Sequence, residues 1–491
     1  MEGIKSGHQT IPGFSLSVFT DDEINTLHQA TLELLEKTGV KVESEEALEI
    51  FQGSGAKINQ KGNTGIVKMP GHLIEECIKS TPGDIIYHGR KPEHGYRISQ
   101  GHVGFSTFGE CIKVIDPETR QIQSASKKAL GKASLLVDYL DQIVLLERPM
   151  GSLDKPAMTQ PLHNFEAMVT NSSKHIFMGC NSGTNARKIF ELAAVCMGGT
   201  DKFREQPIIT SFVTPTSPLE LVQSCCDVII ESARAGVGVA PISMVLSGAT
   251  APATLAGAIV QHNAEVLSAI ALAQLTKKGT HCTYASCSTI MDLRFSTPAV
   301  GAPEYGIISA GLAKMARFYD IPSWVGGGHS DSKVPDAQAA YESALTATIS
   351  ALSGANIVYG AGCLDSGLTF DFSKLVMDSE LIDNIFHVLK GIEVNKKTIA
   401  LDIIHEAGPG GEFLTKQHTF EHMREMSRSS LFDRRNRDKW MEQTKGEDLT
   451  SRAYEKANQI LKTHKPLALP KSAGLEMKEI IKEYEDSLGI V

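Results

Sequence analysis

Ile208-Ile209-Thr210-Ser211-Phe212-Val213, followed at once by Thr214-Pro215-Thr216-Ser217-Pro218, decides the reading of the fold. A short β-favouring stretch that gives way to a hydroxylic, proline-containing loop reads as a strand buried on both faces as it leaves a sheet. Working outward, comparable runs lie at Ile143 to Leu146, Ile176 to Met178, Ile242 to Leu246, His281 to Tyr284, Ser323 to Val325 and Ile357 to Tyr359. They recur about every 35 residues, the length of a βα unit, with helical stretches between them. Crossover helices impose a parallel sheet. One more strand, from the 101–115 region or from Ile399 to Ile403, completes eight. No run is followed by a G-x-G-x-x-G or G-x-x-x-x-G-K-[ST] phosphate loop, which disfavours a nucleotide-binding open sheet and favours a closed barrel. The expected fold class is therefore α/β, a (β/α)8 TIM barrel.

The flanks differ from this repeat. Thr20-Asp21-Asp22-Glu23 reads as a helix N-cap with acidic residues in the first turn, and Gly39 sits where a terminating glycine belongs. Residues 1–100 are expected to form an N-terminal helical cap, 101–412 the barrel and 413–491 a C-terminal helical segment, where arginines become frequent.

Composition narrows the function classes. Of 491 residues, 42% are hydrophobic, 21% charged and 6% aromatic, a profile that excludes disorder, collagen and coiled coil. The formal charge of -9 and the absence of a long basic run argue against nucleic acid. Nine cysteines without a C-x-x-C pair suggest neither a disulfide framework nor a zinc ribbon. The first 19 residues lack the apolar core of a signal peptide, and no stretch of uncharged apolar residues reaches the length of a membrane span. A cytoplasmic protein is expected.

In such a barrel the chemistry lies just after each strand. Those positions are mostly small or hydroxylic: Gly179-Cys180-Asn181-Ser182, Ser247-Gly248-Ala249-Thr250, Ala285-Ser286-Cys287-Ser288-Thr289, Gly326-Gly327-Gly328-His329-Ser330-Asp331 and Gly360-Ala361-Gly362-Cys363. They leave room for something bulky, or merely turn strands into helices. His329 and Asp331 are the functional groups after the three glycines, and His329 titrates near neutrality unless it is structural. Arg294 is placed to clamp a substrate carboxylate or to pair with Asp292 or Glu304. Tyr284, Tyr359 and Phe295 offer aromatic faces to a cation, or plug the barrel. His418 and His422 have an i,i+4 spacing but no H-E-x-x-H context, so no metal is expected.

PTSPLEL (Pro215 to Leu221), HNAEVLSAIALAQLT (His262 to Thr276), DLRFSTPAVGAPEYGIISA (Asp292 to Ala310), GGGHSDSKVPDAQ (Gly326 to Gln338) and GANIVYGAGCLDSGLTF (Gly354 to Phe370) resemble the trimethylamine methyltransferase family of corrinoid-dependent enzymes, which includes glycine betaine and other quaternary amine methyltransferases. The likeness runs from about residue 15 to the C-terminus. Trimethylamine enzymes carry pyrrolysine where this chain has His329, so the resemblance implies a quaternary amine as substrate. It implies methyl transfer to Co(I) of a corrinoid (cobalamin) on a partner protein, because D-x-H-x-x-G is absent. On this reading Arg294, His329, Tyr284, Tyr359, Asn181 and Asp331 bind substrate, and no residue is assigned as catalytic. Gly326, Gly327, Gly328, Gly360 and Gly362 open the mouth to the corrinoid, and a homo-oligomer is expected. Two alternatives remain: a barrel lyase using a metal or a Schiff base on Lys314 or Lys333, and a quaternary-amine binding protein.

Overall fold

The computed structural model describes residues 8–9, 16–99 and 101–490; most of the N-terminal stretch read for a signal peptide lies outside them. Eight parallel strands close into a barrel: β1 (His102–Thr107), β2 (Ile143–Glu147), β3 (Ile176–Gly179), β4 (Ile209–Val213), β5 (Gly238–Ser243), β6 (Tyr284–Ser286), β7 (Ser323–Gly326) and β8 (Ile357–Ala361). Closure is made by β8 on β1, with Val358 opposite Phe105. The eighth strand thus comes from the 101–115 region, whereas Leu401–Ala407 is helix. Helices α1 (Lys127–Tyr139), α2 (Gln160–Asn171), α3 (Gly183–Met197), α4 (Gln223–Ala235), α5 (Leu255–Thr276), α6 (Pro303–Phe318), α7 (Ala337–Leu352) and α8 (Phe372–Leu389) follow the strands in turn.

The N-terminal region contributes helices Asp21–Lys37, Glu45–Gly53 and Gly71–Ser80, together with short strands. Thr20 and Glu23 form the expected capping box, the Glu23 carboxylate accepting the Thr20 N–H at 2.8 Å. Asp21–Lys37 and Gly71–Ser80 pack on α5. This explains why α5 is apolar nearly all round. It is the one described helix long and apolar enough to cross a membrane, yet 78% of its apolar window is buried inside the protein. Its polar residues are satisfied internally: Glu265 accepts from Ser217 Oγ at 2.8 Å and from the Leu219 N–H at 3.0 Å.

Alternation along the strands divides the barrel's inside from its outside. Leu145, Phe177, Ala240, Ala285, Trp324 and Ile357 point inward and pack with Tyr87 and Tyr96, which belong to a hairpin of Ile85–Tyr87 and Tyr96–Ile98. That hairpin plugs the N-terminal end of the barrel. Outside, helix Leu449–Thr463 packs on α8, and Ala473–Ser487 packs on α3 and α2. All nine cysteines are buried free thiols.

Candidate active site

With the N-terminal end plugged, the inward positions at the C-terminal strand ends form the site. His329 follows β7 and is fully buried. Its Nδ1 lies 3.1 Å from the Tyr305 hydroxyl, and its Nε2 is buried without a hydrogen-bond partner. Three aromatic rings surround it edge to face: Phe108 at 4.7 Å, Tyr359 at 5.3 Å and Tyr305 at 5.4 Å between centroids. Phe108 also stacks on Tyr359 at 6.0 Å. The Tyr359 hydroxyl donates to the Ser286 carbonyl at 2.7 Å, spanning the barrel from β8 to β6. Burial, reinforced by the nearby Lys374 ammonium, lowers the His329 pKa to about 3, so its imidazole is neutral.

A second polar group faces this cluster. Glu147 ends β2 and lies in the same inward direction as Leu145, one layer nearer the mouth. It is buried, accepts from Ser106 Oγ at 3.5 Å, and has its pKa pushed well above the usual carboxylate range by desolvation and by Glu110. Arg148 beside it donates Nε to the Gly109 carbonyl at 3.1 Å and pairs with Glu110. The Cys287 thiol is pushed up to about 12 by burial.

Of the residues expected from sequence, the structure brings His329, Tyr359, Gly326 and Gly360 together. His329 is neutral, however, because its surroundings exclude water, so it is not a cationic clamp for a carboxylate. Tyr284 is on the outer face of β6, donating to Asn263 Oδ1 at 2.9 Å toward α5. Arg294 sits on the exposed tip of a hairpin made by Thr289–Asp292 and Thr297–Ala299, its Nη2 donating to Asp292 Oδ2 at 2.6 Å. Phe295 beside it is 71% exposed. Asn181 is exposed on the β3–α3 loop with φ +63°. Asp331 ties loops together, accepting from Val300 and Gly301 N–H at 3.1 and 3.0 Å and from Ser366 Oγ at 2.8 Å.

The glycines also have internal reasons. A Cβ on Gly326 would fall inside the Tyr305 hydroxyl, whereas one on Gly327 would point away from the mouth, 2.7 Å from Val358 Cγ1 and 3.0 Å from Ala347 Cα. Gly328 and Gly360 hold φ of +95° and +137°, which side-chain-bearing residues rarely adopt. Gly362 abuts Phe370, with 2.6 Å between an added Cβ and the ring. Packing or backbone geometry thus gives each of these five its own reason to be glycine.

Sequence reading missed Glu147, Phe108 and Tyr305. The first was visible as a charge ending an apolar run, the second as an aromatic just past a strand. Tyr305 enters from the first turn of α6, where attention to strand ends alone does not look. The lysines considered as Schiff-base nucleophiles are elsewhere: Lys333 is exposed and donates to the Asp331 carbonyl at 2.6 Å, and Lys314 is half-buried along α6.

Comparison with known proteins places this arrangement. The family model described as trimethylamine methyltransferase (MTTB) matches residues 5–489. The chain is 43% identical over 487 residues, 99% of its length and 98% of the relative's, to "Trimethylamine methyltransferase MttB" of Desulfitobacterium hafniense (strain DSM 10664 / DCB-2). It is 32% identical over 487 residues, 98% of its length and 99% of the relative's, to "Glycine betaine methyltransferase" of Desulfitobacterium hafniense (strain Y51). Among solved structures, the hydroxylamine MtmB complex aligns over 93% of this chain and 95% of that one with a TM-score of 0.50 at 12% identity, a likeness of fold alone. The barrel that holds His329 among three aromatic rings is thus that of a methyltransferase, and the chain belongs to the trimethylamine methyltransferase family.

Proposed function

We propose that the protein demethylates a quaternary amine of the betaine type and delivers the methyl group to a corrinoid carried by a separate protein. The observation that carries the reading is the neutral His329 enclosed by Phe108, Tyr305 and Tyr359. A quaternary nitrogen has neither a lone pair nor an N–H, so hydrogen bonds cannot hold it; desolvated aromatic faces can, contributing roughly 2 kcal/mol. Its leaving group is already a neutral tertiary amine, so the chain needs no general acid, and a histidine held neutral supplies none. The relative whose name specifies glycine betaine supports the same substrate class. The 43% identical relative, whose name specifies trimethylamine, favours a second reading.

A corrinoid supplies the nucleophilic metal that accepts the methyl group. The chain's part is to strip water from the ammonium, fix its orientation and leave one methyl toward the mouth. The rim suits a protein carrier: Leu153, Met158, Leu293, Phe295, Val334 and Tyr341 are exposed on, or just past, the loops that follow β2, β6 and β7. Exposed apolar residues grouped around a mouth favour a protein docking there. A second exposed apolar set, including Ile392, Val394, Leu414, Phe420 and Met426, supports a homo-oligomer.

Two outcomes test this. With reduced cobalamin, a betaine should yield its demethylated amine by mass spectrometry, with trimethylamine at least about tenfold slower; a reversed preference would establish the second reading. Phe295→Asp should leave Tm unchanged, because the ring is exposed, while raising KM for the carrier protein about tenfold. An unchanged KM would remove the β6 hairpin from the docking face.

A further inference from the structure

A permanent cation entering a water-free pocket leaves an electrostatic problem that aromatic rings solve only in part. Resting on the quaternary-amine reading, we propose that Glu147 is the substrate's counter-charge: protonated while the site holds no cation, and deprotonated to solvent when the ammonium enters. Binding would thereby exchange one positive charge for another.

The geometry supports this assignment. Glu147 lies at the inward, mouth-side end of β2, 2% exposed, and the Gly109 loop closes over it so tightly that a Cβ there would stand 3.1 Å from Oε1. The cation nearest in sequence, Arg148, acts on Glu147 through space but spends its hydrogen bonds on the Gly109 carbonyl and on Glu110 at the rim. The groups facing Glu147 are Ser106 from β1, Glu110 from the loop after it, Arg148 from the β2–α2 loop, Cys287 after β6, Tyr305 from α6, Tyr359 from β8 and Cys363 after it. Beyond them stand neutral His329 and, from α8, Lys374, whose ammonium is bonded to Asp378 at 2.7 Å. Acids, thiols and phenols outnumber the one facing cation, so ionising Glu147 alone is unfavourable. The same surroundings become favourable once an ammonium arrives to offset the carboxylate. The raised pKa of Glu147 agrees with this order of events.

The experiment compares glycine betaine with 3,3-dimethylbutanoate, its uncharged-head carbon isostere, by titration calorimetry on the full chain in buffers of different protonation enthalpy. Wild type should bind betaine about 10- to 100-fold more tightly than the isostere, release close to one proton, and lose affinity as pH falls below the carboxyl's pKa, since protons then compete with the cation. Glu147→Gln should retain isostere binding, which shows an intact pocket, while its charge preference, proton release and pH dependence disappear. Should that variant not fold, wild type alone decides: an infrared band of a buried protonated carboxyl should vanish when betaine binds. Unchanged betaine affinity in a folded Glu147→Gln, or a wild-type band that betaine leaves in place, overturns the assignment to Glu147 but not the quaternary-amine reading. Tight wild-type binding of the isostere without binding of betaine overturns both.

Discussion

Gly326→Ala is expected to unfold at a markedly lower temperature than the parent enzyme and to lose more than about tenfold in turnover. The added methyl would occupy the position of the Tyr305 hydroxyl. Tyr305 cannot swing aside cheaply: it is fully buried, and its hydroxyl lies 3.1 Å from His329 Nδ1. Overpacking a rigid core costs about 1 to 3 kcal/mol, and displacing the ring also breaks a buried hydrogen bond worth about 1 kcal/mol. Gly327→Val should be nearly as damaging to Tm, because its side chain would press on Val358 and Ala347 between β7 and α7. The two differ in where the damage falls. Gly326→Ala disturbs the ring against His329, so surviving folded enzyme should bind betaine poorly, whereas folded Gly327→Val should bind it normally. Thermal unfolding with betaine titration checks both, and a Gly326→Ala enzyme with parental Tm and affinity would remove Tyr305 from the site.

Acid should destabilise the protein steeply. Burial lowers the pKa of His175, His262 and His329 to about 3 in the folded chain. Released from the fold, each returns to about 6.5. Between those values the unfolded chain binds protons that the folded chain refuses, so stability present above pH 6.5 is lost as pH falls toward 3. The slope approaches about 1.4 kcal/mol per pH unit for each histidine fully in this regime, near 4 kcal/mol for the three together. Urea unfolding at pH 7.5, 6.0 and 5.0 measures it, and His262→Gln should lessen the slope by about a third whatever it does to stability at pH 7.5. A stability that stays level down to pH 5 would mean that these imidazoles admit water.

The barrel was legible because strands covered on both faces must be apolar throughout, which makes each a discrete run. His102–Thr107 was the ambiguous member, since Gly104, Ser106 and Thr107 dilute its apolar character. The competing run at Ile399 to Ile403 is apolar for another reason: Ile399 and Leu401 are exposed surface, both 52% accessible. Within the site, His329 and Tyr359 could be placed because they lie at or just past strand ends. Tyr284 misled because a run of apolar residues does not say which of them face inward; Ala285 does, and its neighbour faces α5. Arg294 misled because an antiparallel hairpin, absent from the βα repeat, carries it outward. Glu147 and Tyr305 required the third dimension, one being a charge in a strand otherwise read as core and the other arriving from a helix.

The plug formed by Tyr87 and Tyr96 has a kinetic meaning. Phe177 meets Tyr87 edge to face at 5.2 Å, and the Tyr87 hydroxyl bonds Thr283, so among the described residues these side chains fill the inner end of the barrel. With that end filled, ligands pass through the C-terminal opening, and the carrier protein, if it docks there as proposed, closes it. Such a site works as a queue with a single end: the small molecule must arrive before the covering protein, and its remnant departs only after that protein has gone. Turnover is then compulsorily ordered, and a covering protein that binds too early or stays too long becomes an inhibitor of the reaction it serves.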